Sequence, residues 1–60
     1  MVSVFVDKVR LKGEREATII FDGLIGEYGI TFQDRFGIVF KQSSCKLLSE
    51  AYQVIEKQEM

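Results

Sequence analysis

The stretch that decides the fold is residues 17–32, ATIIFDGLIGEYGITF, in which apolar side chains recur at alternate positions on both sides of an Asp-Gly pair. Such alternation is typical of half-buried β-strands. Asp22-Gly23 favours a two-residue hairpin turn, because both central residues of a type I′ turn need positive φ. The pattern therefore predicts two antiparallel strands with Phe21 opposite Leu24. One apolar face of this pair would carry Ala17, Ile19, Phe21, Leu24, Tyr28, Ile30 and Phe32.

A further strand is predicted on the C-terminal side of this stretch, joined to it by a second hairpin loop. Gly29–Phe32 is nearly repeated by Gly37–Phe40. A shift of one residue in the loop would exchange the two faces of the sheet. A three-residue loop over 33–35 is therefore predicted, because it places the apolar side chains of both segments on one face. In the second segment these are Phe36, Ile38 and Phe40.

The apolar pattern of the N-terminal segment predicts one more strand. Pairing Leu11 with Ala17 and Val9 with Ile19 brings the apolar side chains of both segments together. The valines at positions 2, 4 and 6 then have the wrong parity. A β-bulge near Asp7-Lys8 would return them to the core face, because a bulge inserts one extra residue into the ladder.

The last segment has a helical period instead. Leu48, Ala51, Tyr52 and Ile55 lie at i, i+3, i+4 and i+7, which predicts an amphipathic helix whose apolar stripe covers the sheet. The predicted architecture is a single α+β domain, 1–60, in two layers. It is a four-stranded antiparallel β-meander with one C-terminal α-helix packed on one face, with strands at about 2–12, 16–21, 24–32 and 36–41 and the helix at about 44–58.

Composition excludes most catalytic chemistry. The 60 residues include one Cys and no His, and the net charge is −1. Histidine is the usual general base near neutral pH, and no other acid–base pair is visible, so we expect no enzyme activity, no cofactor and no metal. The longest apolar run is far shorter than the ~20 residues of a membrane span, so no membrane is expected. A single unpaired Cys indicates a reducing compartment, the cytoplasm of a cell or of an infected host cell.

Cys45 lies near the start of the predicted helix, where the helix dipole would lower the pKa of its thiol. No histidine is present to complete a nucleophilic site. The alternative is a small apolar residue at the edge of the helix stripe, since free Cys is among the most buried residue types.

The outer face of the predicted sheet is partly apolar. A domain of this size buries only about 60% of the surface of its unfolded chain, so a partner would add needed stability. We therefore predict a homodimer that uses this face or an edge strand, with a protein as further partner. The predicted contact residues are Phe5, Ile20, Ile25, Gly29, Gly37 and Val39.

The predicted function is that of a small regulatory protein that binds and modulates or inhibits another macromolecule, in the style of phage or mobile-element regulators. The alternative is a single-stranded nucleic-acid-binding module, because a basic stripe can bind phosphates. Its contact residues would be Lys8, Arg10, Lys12 and Arg15. A third possibility is a dimer that holds a small ligand in a cleft between its protomers.

Overall fold

Four strands and one helix follow each other in the computed structural model, which describes residues 2–59. The strands are β1 (Ser3–Arg10), β2 (Glu16–Asp22), β3 (Glu27–Gln33) and β4 (Val39–Cys45); a short 3-10 turn at Lys12–Glu14 joins β1 to β2, and helix α1 spans Leu48–Glu59. The strands form one antiparallel sheet in the order β1-β2-β3-β4, and α1 packs against it. The predicted fold class is confirmed. Met1 and Met60, the ends of the predicted domain 1–60, lie outside the described residues.

The core lies between α1 and one face of the two central strands. Alternate residues of β2 and β3 point toward the helix, and Ala51 and Ile55 point from the helix toward them. The buried apolar side chains are Leu11, Ala17, Ile19, Ile30, Phe32, Ala51 and Ile55. The alternation in residues 17–32 therefore predicted the correct face of both central strands.

The β2–β3 turn differs from the predicted two-residue turn. It comprises the four residues 23–26, and Phe21 pairs with Tyr28 instead of Leu24. The Asp22 carboxylate accepts a hydrogen bond from the Leu24 amide at 3.0 Å, and the Gly26 amide donates to the Asp22 carbonyl at 2.8 Å. Gly26 has φ +67°, which favours glycine at this position. The prediction that Leu24 lies on the core face is wrong, because its side chain is 81% exposed in the turn.

The β3–β4 loop is also longer than predicted, and β4 begins at Val39 instead of residue 36. The loop closes around Asp34, whose carboxylate accepts hydrogen bonds from the amides of Phe36 at 2.9 Å and Ile38 at 3.0 Å. The Asp34 amide donates to the Ile38 carbonyl at 3.0 Å. Phe36 and Ile38 are exposed loop residues, so their predicted core positions are wrong.

The pairing of β3 with β4 changes the expected core face of β4. Phe32 pairs with Lys41 and Gln33 with Val39, which leaves Phe40 as an extra residue in the ladder. Phe40 is only partly covered, with its ring centroid 6.2 Å from that of Phe32. Lys41 lies on the helix side, where its ammonium donates to Gln58 at 2.8 Å.

The predicted bulge in β1 is present, one residue before its expected position. The register shifts between Phe5 and Asp7, so Val6 is the extra residue, and it packs partly buried against the core. Ala17 pairs with Val9 instead of Leu11. This displacement is even, so the predicted faces of β1 and β2 are retained.

Helix α1 begins at Leu48, about four residues after the predicted start. The preceding Ser44 and Cys45 continue β4 and pair with Gly29 and Tyr28 of β3. The Glu50 carboxylate accepts a hydrogen bond from the Leu47 amide at 3.2 Å, which satisfies one of the free donors at the helix start.

Candidate interaction surface

One row of side chains on the outer face carries three of the six predicted contact residues. Phe5, Ile20, Gly29 and Ser44 are direct neighbours across all four strands, and we call them the outer row. Phe5 is 62% exposed and Ile20 is half-buried. A Cβ atom on Gly29 would lie 3.4 Å from Cγ1 of Ile20, so the missing side chain leaves room for Ile20 to lie across β3. The outer row is a low apolar surface with one prominent aromatic ring.

The other three predicted contact residues lie outside this row. Ile25 lies in the β2–β3 turn, where its side chain is 65% exposed, and Gly37 lies in the β3–β4 loop with φ +83°. Val39 begins β4 opposite Gln33. Gln33 is four residues beyond Gly29 on the same strand, so Val39 lies about 14 Å along the sheet from the outer row. The structure therefore brings together only half of the predicted surface.

Sequence reasoning missed several exposed apolar side chains in the two loops. Leu24 and Phe36 are the most exposed, at 81% and 73%, and Ile38 lies beside Phe36 in the same loop. The sequence placed all three in the core, because their parity fits alternating strands. The residue that indicates a loop at this point of the sequence is Asp34, since the carboxylate of an aspartate at the start of a loop can accept hydrogen bonds from the amides that follow it.

The four basic residues of the alternative prediction do not form one stripe. Lys8 lies on the outer face with its ammonium 3.3 Å from Glu16, and Lys12 lies in the 3-10 turn. Arg15 lies on the helix side, 3.5 Å from the Glu59 carboxylate, and its guanidinium is 5.7 Å from the centre of the Phe40 ring.

Arg10 lines an open depression of about 230 Å³ next to these residues. The lining consists of three arginines and two glutamates: Arg10, Glu14, Arg15, Glu16 and Arg35. Arg35 is 4.0 Å from Glu14. Because the carboxylates offset most of the positive charge, the depression offers a phosphate little net attraction.

Cys45 is the last residue of β4, not a residue of the helix. Its thiol donates a hydrogen bond to the Leu47 carbonyl at 3.2 Å. Partial burial raises the pKa of the thiol, and the negative charge of Glu50 raises it further. The pKa therefore moves in the direction opposite to the helix-dipole interpretation, and Cys45 packs partly buried against the core, in accord with the alternative of a small apolar residue.

We expect Cys45 to react slowly with iodoacetamide near neutral pH, because the thiolate is the reactive form and its population is small. The rate should be lower than that of the urea-unfolded chain at the same pH. Glu50→Gln should speed the reaction, since it removes one of the charges that raise the pKa. Alkylation followed by mass spectrometry across a pH series would measure this, and a folded chain that reacts faster than the unfolded one would contradict it.

Tyr52 links α1 to the edge of the sheet formed by β1. Its hydroxyl donates a hydrogen bond to the Asp7 carboxylate at 2.6 Å. This hydrogen bond is the main reason that the pKa of Tyr52 is raised above 10.0, because ionisation of the phenol would destroy it next to a negative charge. Asp7 lies beside the bulge in β1, so the bond links the helix to that edge.

We expect the phenol of Tyr52 to ionise at higher pH than a free tyrosine, and Asp7→Asn to lower that pKa. A raised pKa in the folded chain stabilises it fully below the unfolded pKa, and this contribution is lost as the pH rises through the folded value. Tyrosinate absorbance can be followed in a Tyr28→Phe background, which leaves Tyr52 as the reporter. An identical titration with Asp7→Asn would show that the bond is not formed.

The described chain was also searched for metal-binding and membrane-spanning features. No group of three or more Cys, Asp or Glu side chains within residues 2–59 is placed to hold a metal ion. In the same span, α1 lacks the length and apolar content that crossing a membrane requires.

Comparisons of the chain with protein-family models, with curated proteins and with solved structures find no match.

Proposed function

We propose that this chain is a small non-enzymatic protein that associates with a second copy of itself and binds the surface of another protein. The observation that carries the proposal is the distribution of its large apolar side chains. Among the described residues, eleven large hydrophobic side chains are exposed, whereas the buried core contains seven residues. Scattered exposed apolar residues are normal, but contiguous exposed apolar residues are typical of a surface that another molecule covers, and Phe5 is the direct neighbour of Ile20.

The accessible area supports the same proposal. The described protein exposes 4394 Å². A compact monomer of 6.9 kDa would expose roughly 4,000 Å². This excess of accessible area is expected for a chain whose loops and sheet face contact another molecule.

The outer row is the surface that we assign to the partner protein. Phe5 offers an exposed aromatic ring on a flat sheet, and aromatic side chains are enriched at the centres of protein interfaces. Lys8, two positions past the bulge, and Glu16 provide opposite charges beside it. Binding there would block or modulate the partner, as small phage and mobile-element inhibitors do, in the cytoplasm of a cell or infected host cell.

The test compares two variants that each add one lysine to the same face. Phe5→Lys changes the exposed centre of the outer row, and Thr18→Lys changes a neighbouring polar position. A partner captured from an extract of the native cell by the wild-type chain should be retained by Thr18→Lys and lost by Phe5→Lys. Equal retention by both variants would exclude the outer row as the binding surface.

The nucleic-acid alternative predicts a different outcome. Binding to a single-stranded oligonucleotide would weaken steeply as salt is raised, because neutralised phosphates must release counterions. Lys8→Glu and Arg10→Glu would then weaken binding further. Absence of measurable oligonucleotide binding at low salt would leave the protein-binding proposal as the surviving one.

A further inference from the structure

The two edges of the sheet differ in how they are protected. At one edge, β1 has a bulge at Val6 and carries the charged residues Asp7, Lys8 and Arg10. Bulges and charges are the devices by which natural sheets prevent pairing with another chain. At the other edge, β4 has a bulge at Phe40 near its start, but from Lys41 to Cys45 it pairs regularly with β3, and Lys41 is its one charged residue. The open edge of β4 is therefore the one suited to accept another strand.

We propose that two copies of this chain join antiparallel through their β4 edges, about a twofold axis at Gln42, to form one eight-stranded sheet. This inference rests on the self-association in the proposed function and assigns it a surface. A twofold axis perpendicular to the sheet keeps each residue on its own face, so directly opposite residues must have the same parity.

The charges on β4 favour this register. An axis at Gln42 places Lys41 opposite Ser43 of the second copy, with no pair of like charges, and the bulged Phe40 lies outside this regular segment. An axis at Lys41 would instead place two ammonium groups opposite each other, which destabilises an antiparallel pair.

The position of α1 fits a second copy at this edge. The helix backbone lies nearest to β3 and β4, the two strands nearest the proposed junction, and its buried side chains also pack on β2. Neighbouring strands are about 4.8 Å apart, so a helix above the boundary of β3 and β4 lies about 4.8 Å from the twofold axis. The two copies of α1 would then be about 10 Å apart, within the range at which helices pack side by side.

The two flanks of α1 also differ, because they face opposite edges of the sheet. One flank faces β1 and its following turn, because Tyr52 donates to Asp7 and Glu59 accepts from the Lys12 amide at 3.0 Å. The other flank faces the β4 edge, and it carries the residues at i, i+4 and i+7: Glu50, Val54 and Lys57.

These flank residues are complementary to a second copy. In two antiparallel helices related by an axis near Val54, Glu50 of each copy lies beside Lys57 of the other, and the two Val54 side chains meet between them. Gln58, the residue after Lys57, accepts a hydrogen bond from Lys41, which places the C-terminal half of α1 level with the first part of β4. With rises of about 1.5 Å per helical residue and about 3.3 Å per strand residue, this contact places Val54 within about 3 Å of the level of Gln42, so the two axes nearly coincide.

Sedimentation velocity over a concentration series tests the strand contact. Gln42→Lys places two lysines at the axis and should weaken the dimer up to about fivefold, as expected for like charges directly opposite each other. Thr31→Lys is the matched control, because Thr31 is the neighbour of Gln42 on the interior strand β3. Circular dichroism would confirm that both variants keep the fold.

A charge exchange tests the helix contact independently of the strand. Lys57→Glu should weaken the dimer about fivefold, and adding Glu50→Lys should restore it, because the pair is then reversed and not lost. Glu56→Lys, on the solvent face of α1, should have no effect. Restoration by the double variant is a result that a structural role within one copy would not produce.

The outcomes separate this inference from the proposed function. A wild-type dimer that Gln42→Lys and Lys57→Glu both leave unchanged would overturn the β4 edge and retain self-association through another surface. A wild-type chain that stays monomeric up to millimolar concentration would overturn both self-association and this inference, but would leave partner binding at the outer row to its own test.

Discussion

Replacing Phe32 with alanine is expected to unfold the chain at room temperature. Phe32 is 0% exposed in the interior strand β3 and faces α1 across the core. Truncating a buried phenylalanine to alanine costs about 3–5 kcal/mol, because the apolar transfer energy is lost and a cavity remains. A core of this size supplies no more than roughly 3–5 kcal/mol in total. Far-UV circular dichroism at low protein concentration, with urea titration of the wild type, would measure the loss.

Phe36→Ala is the matched control, since it removes the same atoms four residues away. The Phe36 side chain is 73% exposed in the β3–β4 loop, and the guanidinium of Arg35 lies 4.9 Å from the centre of its ring. We expect its effect on the free energy of unfolding to be within about 0.5 kcal/mol. If Phe36→Ala unfolds the chain as Phe32→Ala does, then the loop packs into the core as the alternating pattern predicted, and the register of β4 is incorrect.

The central hairpin shows what alternation can predict. The turn is two residues longer than the Asp-Gly pattern indicates, and Phe21 pairs with Tyr28 instead of Leu24. The register nevertheless differs by an even number of residues, and side-chain direction repeats every two residues. The faces of β2 and β3, and with them most of the core, could therefore be predicted although the pairing could not.

The β3–β4 hairpin shows where alternation fails. Phe36, Ile38 and Phe40 have the spacing of a strand face, and burying them is the option that a pattern favours. The chain instead satisfies four backbone groups of the loop through Asp34 and begins β4 at Val39. Local hydrogen bonds of an aspartate can outweigh an apolar pattern over such a short segment. Apolar periodicity takes no account of these hydrogen bonds.

Only part of the predicted contact surface comes together in the structure, for the reasons that apply to the two hairpins. Phe5, Ile20 and Gly29 lie together because each was assigned by parity within a strand whose face was correct. Ile25 and Gly37 lie elsewhere because they belong to the two turns whose lengths were underestimated. The opposite-charge flank of α1 was not recognised, because its meaning depends on the position of the helix over β3 and β4.

Replacing Ala51 with glutamate is expected to separate α1 from the sheet. Ala51 is 0% exposed where the helix meets the core. A carboxylate there would lose its hydration without gaining a partner, which costs several kcal/mol. A helix of 12 residues is marginal in water without packing, so α1 should lose its helical structure once it leaves the sheet.

The matched control is Gln53→Glu, which adds the same charge to the same helix at an exposed position. It should leave the helical signal and the unfolding midpoint nearly unchanged, whereas Ala51→Glu should lose the helical signal and expose Ile30 and Phe32, so that a dye specific for exposed apolar surface binds. The sheet cannot compensate for this loss, because the described chain offers no second element to cover that face. A variant with Ala51→Glu that unfolds cooperatively at the wild-type temperature would show that α1 does not cover the sheet through Ala51, and the proposed helix pairing about Val54 would lose its geometric basis with it.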